Sequence, residues 1–148
     1  MHADVVFFDT SYLARLYVKD AGYGEVRRLT EQVHTITLAW HAHTELVSAL
    51  HRAYRESRLS QDAFRAGVEQ FEQDGAAGLF RWVTPDAGLL RRVEQVYLDA
   101  PASVFLRAAD AVHLACAAES GFADIYSNDA RLLAAAPLFG LEGRNIIG

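Results

Sequence analysis

Short apolar runs recur along this chain, and helical patterning separates them. VVFF (5–8), HTITL (34–38), LFRWV (79–83) and ADIY (123–126) are too short for helices and favour β-branched or aromatic residues. After the first run, Leu13, Leu16 and Tyr17 fall at helical spacing, and GYGEVRRLTEQV (22–33) reads as a second helix. Trp40 to Ser57 follows the second run as a long amphipathic helix with Leu46, Leu50 and Tyr54 on one stripe. Ser60 to Gly75 forms another, with Ser60 as N-cap and Phe64, Val68 and Phe71 inward. Thr84-Pro85-Asp86 starts a helix that runs through Leu89 and Val93 to a stop at Pro101. Asp110 to Ser120 reads as a nearly all-apolar helix closed by Gly121, Asn128-Asp129 opens a short last one, and Asn145 to Ile147 reads as an edge strand. Strands alternating with helices imply an α/β domain with a largely parallel sheet. No repeat or linker interrupts the pattern, so residues 1–148 read as one three-layer domain.

Composition narrows the class. The chain is 51% hydrophobic and 22% charged, with enough apolar material for a core. Its longest apolar runs, Val5 to Phe8 and Leu132 to Ala136, fall far short of the roughly 20 residues that span a bilayer. MHADVVFFD carries an early acid and no cationic leader, so no signal peptide and no membrane partner are expected, and the cytoplasm is the expected location. The single cysteine, Cys116, cannot form an internal disulfide and reads as a buried small residue. The formal charge of −5 argues against a nucleic-acid partner, but thirteen of the fourteen bases are arginine, the better fork for phosphate oxygens.

The acids fall where an α/β sheet collects ligands, beyond the carboxyl ends of its strands. Asp9 ends the first run, and Asp129 follows Tyr126 by a Ser-Asn dipeptide. Asp110 opens a helix in an otherwise apolar region, and Glu45 lies one turn inside the helix after the second strand, among the small residues Ala42, Ser48 and Ala49. Asp9, Asp129 and Asp110 also have a plain explanation, since each stands where a helix start favours a carboxylate. Jointly, four carboxylates on one rim suit a hard divalent cation, Mg²⁺ or Mn²⁺, which takes oxygen ligands. Such an ion can activate water and neutralise charge on a phosphodiester.

With these residues placed, the chain resembles PIN-domain ribonucleases, and within them the VapC-type toxins of toxin–antitoxin pairs. VVFFDTSYLARLY, TELVSALHRA, LRAADAVHLACAAESG and DIYSNDARLLAAA carry the likeness in order and spacing, across essentially the whole chain. It implies a three-layer α/β/α PIN-like domain with a mostly parallel central sheet. It also implies that Asp9 bridges metal, that Asp110 is its main partner, that Glu45 binds or orients a metal or the nucleophilic water, and that Asp129 completes the site. Thr10, Ser11 and Ser127 are implied as supporting hydroxyls or phosphate contacts. The implied activity is RNA cleavage leaving a 5′-phosphate and a 3′-hydroxyl, the implied assembly a homodimer, and the implied partner a small antitoxin protein that blocks the site. Because no base is evident among the four acids, that inhibitor is expected to insert an arginine.

Other polar residues read more plainly. His41 and His43 face roughly 200° apart on a helix and cannot chelate together. His41 and Glu45, at i and i+4, lack an evident third zinc-type ligand. His113, between Val112 and Leu114, reads as a satisfied core histidine. Arg15, Arg52, Arg55 and Arg58 are candidates for RNA phosphates or an antitoxin's acids, or simply for a solvated face. A receiver module needs a late lysine, but the only lysine is Lys19, and a haloacid-dehalogenase phosphatase needs an aspartate where Ser11 stands. A housekeeping RNA-processing nuclease and a non-catalytic interaction module of the same fold remain as alternatives.

Overall fold

A computed structural model describes residues 4–148. Its strands are β1 (Val5–Phe7), β2 (Thr35–Ala39), β3 (Phe80–Val83), β4 (Asp124–Tyr126) and β5 (Glu142–Arg144). Its helices are α1 (Thr10–Ala14), α2 (Tyr23–Glu31), α3 (Ala42–Arg55), α4 (Gln61–Ala76), α5 (Ala87–Asp99), α6 (Ala108–Glu119) and α7 (Ala130–Ala135), with a 3₁₀ turn at Ala136–Phe139. β1 pairs with β2 and β2 with β3, both parallel, while β4 pairs in parallel with β5. A single parallel bridge, Phe8 to Tyr126, sets β4 beside β1. The strand order is therefore 3-2-1-4-5. The chain leaves β1 towards β2 on one side and returns through β4 on the other, so the order reverses at the carboxyl end of β1. That is where open α/β sheets bind ligands.

Alternation along β1 makes the three layers. Phe7 packs into a cluster with Leu89, Ala111, Leu114, Ile125 and Leu132, the face covered by α5, α6 and α7. Val6 and Phe8 point the other way, into a cluster with Leu13, Val26, Leu46, Leu50 and Phe71 from α1 to α4. A strand buried on both faces reads as an unbroken apolar run, which explains VVFF. On α3, Ala42, Leu46, Leu50 and Ala53 are buried at helical spacing. α6 is buried nearly all round from Ala111 to Ala117, so Cys116 lies in the core, where burial pushes its thiol up to about 12 and leaves it inert.

Two readings shift. Asn145 to Ile147 is not a strand; β5 is Glu142–Arg144, a tripeptide without apolar alternation, and the Asn145 side chain instead accepts the Tyr12 hydroxyl at 2.7 Å. β5 can lie there because Gly143 has no side chain: a Cβ would meet Leu133 Cδ2 at 2.8 Å and the Leu133 backbone at 3.2 Å. Asp110 is the third residue of α6 rather than its first, and Arg107 precedes the helix as its cap residue. Among the described residues, no helix is long and apolar enough to cross a membrane.

Candidate active site

The four acids line one cavity of about 290 Å³, together with Thr10, Ser11, Arg107, Ala109 and His113. Asp9 comes from the end of β1 and Glu45 from the first turn of α3; Asp110 comes from the first turn of α6 and Asp129 from the loop after β4. The strand-order reversal brings the two pairs face to face.

Asp9 is the most enclosed, only 4% exposed. Its Oδ1 accepts the Ser11 hydroxyl at 2.6 Å and the Tyr12 amide at 3.1 Å, so it does cap α1. Its Oδ2 accepts the Ser127 hydroxyl at 2.6 Å, across the junction between the sheets. The two serines are themselves fixed, since Ser127 Oγ accepts the Asp129 amide and Ser11 Oγ the Asn128 amide, both at 2.9 Å. Burial raises the Asp9 carboxyl above its ordinary range, against the opposing pull of His113 and these hydrogen bonds. Asp9 is thus a buried, oriented carboxylate whose partners are two hydroxyls and an amide.

Glu45 is held through Oε1, which accepts the Thr10 hydroxyl at 2.7 Å and lies 2.8 Å from His113 Nε2. Burial works against its charge, but the His113 contact, the Thr10 hydroxyl and nearby His41 outweigh it and bring the carboxyl down to about 2. His113 is buried as expected, 2% exposed, yet it is not fully satisfied: Nδ1 has no hydrogen-bond partner among the described residues. Its burial followed from its apolar neighbours. Its contact with Glu45 was missed, although a buried imidazole needs a partner and Glu45 was the open carboxylate.

The opposite wall is different. Arg107 Nε donates to Asp110 at 2.8 Å, and Nη2 pairs with Asp129. Asp129 also caps α7 by accepting the Arg131 and Leu132 amides. Burial opposes its ionisation, but Arg107 and those amides hold it below the ordinary carboxylate range. The expectation that the cavity contains no cation is corrected here: a guanidinium spans two of the four acids. The other arginines lie elsewhere. Arg15 donates to the Ser11 and Ala21 carbonyls, Arg52 pairs with Glu56, and Arg58 pairs with Glu56 and Asp20.

The donor set suits a hard divalent ion. It offers carboxylate oxygens with hydroxyls behind them, one carboxylate is buried without a cationic partner, and a guanidinium already balances charge between two others. His43 takes no part, packing against Phe71 and Trp82.

A PIN-domain family model matches residues 6–137. The chain belongs to the PIN-domain family. Among the solved structures that share its fold are two toxin–antitoxin proteins. One is the VapC20 toxin of Mycobacterium tuberculosis, described as cleaving the sarcin-ricin loop: it is 23% identical, with a TM-score of 0.67 over 88% of this chain and 94% of that one. The other is VapBC2 of Rickettsia felis, bound to a fragment of its promoter DNA: it is 12% identical, with a TM-score of 0.65 over 95% of this chain and 98% of that one. No curated protein sequence matches the chain significantly. PIN membership and the parallel sheet agree with the sequence reading of the fold.

Proposed function

We propose that this PIN domain is an endoribonuclease that hydrolyses RNA phosphodiester bonds with Mg²⁺ or Mn²⁺, and that it is the toxin of a toxin–antitoxin pair. The observation that carries the reading is the cavity itself, which Asp9, Glu45, Asp110 and Asp129 line from four separate elements, with Asp9 buried and without an arginine or lysine of its own. Asp9, Asp110 and Asp129 would hold the ion, with Glu45 completing the set. A bound divalent ion would supply Lewis acidity towards a phosphate oxygen and a more acidic water. Ser11 and Ser127 fix the Asp9 rotamer, and Thr10 and His113 keep Glu45 ionised and pointed, so that it can bind or orient the attacking water. Preorganisation of this kind spares the site reorganisation during reaction.

The toxin role is supported by the VapC-like fold and by the antitoxin-bearing Rickettsia structure. In this reading an antitoxin arginine directed at the acids takes the position of Arg107. A homodimer would use apolar residues such as Leu90, Tyr97 and Leu98, which α5 leaves exposed.

A second reading has its own observation. Asp9 and Asp129 are genuine helix caps, and Arg107 neutralises Asp110 and Asp129, as a non-catalytic module would have it. Purified protein incubated with total RNA in Mg²⁺, Mn²⁺ or EDTA separates the two. Cleavage should need Mg²⁺ or Mn²⁺ and leave 5′-phosphate ends. Activity that survives EDTA, or returns only with zinc, removes the acidic site; no cleavage in any metal leaves the interaction module. Growth arrest relieved by a co-expressed small neighbour distinguishes a toxin from a housekeeping nuclease.

A further inference from the structure

Two imidazoles converge on one carboxylate oxygen at the edge of the acidic cavity. His113 Nε2 lies 2.8 Å from Glu45 Oε1, and His41 Nε2 lies 3.6 Å from the same atom. One ligand atom from each of the three residues falls within 4.8 Å of the other two, and the two ring centroids stand 4.1 Å apart. Ligands about 2.0–2.1 Å from a tetrahedral zinc are separated from each other by roughly 3.3 Å, so the observed contacts bracket the spacing such an ion imposes.

The elements that present them are fixed. His41 and Glu45 are one turn apart at the start of α3, joined by the Glu45 amide to the His41 carbonyl at 3.0 Å, and His113 comes from the buried face of α6. His41 Nε2 is also 3.2 Å from the Ala109 carbonyl, and Thr10 Oγ1 is 3.3 Å from His113 Nε2.

Each ring engages its neighbours through Nε2 and leaves Nδ1 alone. Nδ1 of His41 and Nδ1 of His113 are both buried with no hydrogen-bond partner among the described residues, and His113 is 2% exposed. Nε2 faces acceptors and so carries the ring proton, and an ion bound there requires that proton to move to the free Nδ1 lone pair. Here each ring directs only Nε2 at a polar group, and both of those nitrogens face Glu45. Two nitrogens and one oxygen form a donor set distinct from the all-oxygen set of Asp9, Asp110 and Asp129, and it favours a borderline ion over magnesium.

We propose that His41, Glu45 and His113 form a second cation site for a divalent ion of the zinc class, and that filling it neutralises Glu45 at the wall of the acidic cavity and silences cleavage. The inhibitory half rests on the nuclease reading above; the binding half does not. With three protein ligands, at least one coordination position is left for water. Glu45 is the shared element. Its Oε1 has lone pairs for both the ion and the Thr10 hydroxyl, but a carboxylate committed to a zinc-class ion has less charge to lend an ion or a water in the acidic cavity.

Zinc titration calorimetry of the metal-stripped full chain, without RNA and in excess Mg²⁺, tests the binding half. Wild type should take up one equivalent. His41→Ala should weaken that uptake by about 100-fold or more, since even groups that only support a ligand contribute 10–100-fold. Asp129→Asn should leave it unchanged. Co²⁺ in place of zinc should give the visible absorption of a four-coordinate ion in wild type and not in His41→Ala. If the alanine variant unfolds, His41→Gln, which can still reach the Ala109 carbonyl, takes its place.

In the activity arm, zinc should suppress Mg²⁺-supported cleavage by wild type and should not change the His41→Ala rate, whatever that rate is. No zinc uptake in the presence of Mg²⁺ overturns the site, as does uptake that is indifferent to His41 or lost in Asp129→Asn. Zinc that binds through His41 yet leaves cleavage intact overturns the inhibitory role alone. Zinc binding as described in a protein that never cuts RNA leaves the site standing and removes the nuclease reading.

Discussion

The two walls of the cavity solve the same electrostatic problem differently. The wall from the β1–β3 half presents Asp9 buried, hydrogen-bonded to the Ser11 and Ser127 hydroxyls and the Tyr12 amide, with nearby His113 as a further support and no arginine or lysine paired with it. The wall formed by the start of α6 and the loop after β4 presents Asp110 and Asp129 with a guanidinium between them, and that side chain is 43% exposed. One wall is rigid and short of positive charge. The other is neutralised by a long side chain that solvent can reach. A buried carboxylate without a cation lacks compensation within the chain, whereas an exposed ion pair contributes only about 0–1 kcal/mol and can be exchanged. The contrast suggests which wall draws a metal in and which must give way to it.

The largest effect should come from removing the charge on the rigid wall. Asp9→Asn should lower RNA cleavage by about a thousandfold, the scale of losing a group that stabilises transition-state charge. The metal-free variant should nevertheless melt at or above the wild-type temperature. Because the folded carboxyl of Asp9 titrates above its unfolded value, native protein binds that proton more tightly than the unfolded chain does. Metal-free wild type should therefore gain stability as pH falls through the raised folded value towards about 3.8, and the Asn variant should lack that gain. Melting curves against pH, with and without Mg²⁺, measure this. A wild type indifferent to Mg²⁺ would end the metal reading for Asp9.

A smaller loss is expected at the serine that orients Asp9. Ser127→Ala removes a fully buried hydroxyl that donates to Asp9 and accepts the Asp129 amide, so stability should fall by about 2 kcal/mol. Single-turnover cleavage should slow while RNA affinity stays the same, because Ser127 acts on Asp9 and not on the substrate. Equal losses in affinity and rate would place the hydroxyl on RNA instead.

The smallest effect tests the exchangeable wall. Arg107→Gln should change stability by less than about 1 kcal/mol and lower the Mg²⁺ concentration for half-maximal cleavage by up to about fivefold, the ratio equivalent to one exposed ion pair. Asp110→Asn should behave differently from Asp9→Asn, losing cleavage without gaining apo stability, because it leaves Arg107 with one partner fewer. Should Arg107→Gln leave Mg²⁺ dependence untouched and weaken RNA binding, Arg107 belongs to the substrate path and the two walls differ less than their geometry suggests.

The rigid wall was largely legible in the sequence. An apolar run ending in Asp9 can only place that residue at the carboxyl end of a buried strand, and DTS and SND supply hydroxyls within reach of local turns. The exchangeable wall was not. Arg107 stands 22 residues before Asp129, and nothing in spacing or periodicity reports that a side chain at the start of α6 will bridge to the loop after β4. β5 was misplaced for a related reason. EGR carries no alternation, and its position depends on a close approach to Leu133 that only the fold reveals. His113 lies between these cases, since burial was readable from its neighbours while the direction of its Nε2 was not.

The lone bridge from Phe8 to Tyr126 has a mechanical consequence. The Asp9 amide donates to the Tyr126 carbonyl at 3.1 Å, directly beneath the cavity, and this joint is where the two small sheets become one. Asp9 and Glu45 belong to one side of the seam and Asp129 to the other, while Asp110 rides on α6, which packs over β2 as well as β4. Repulsion among their charges is therefore a force that pries the seam apart, and a cation between them is a clasp that shuts it. Sheet continuity and the placement of Asp9 against Asp129 are in that sense coupled, and a change at the joint is felt directly at the site.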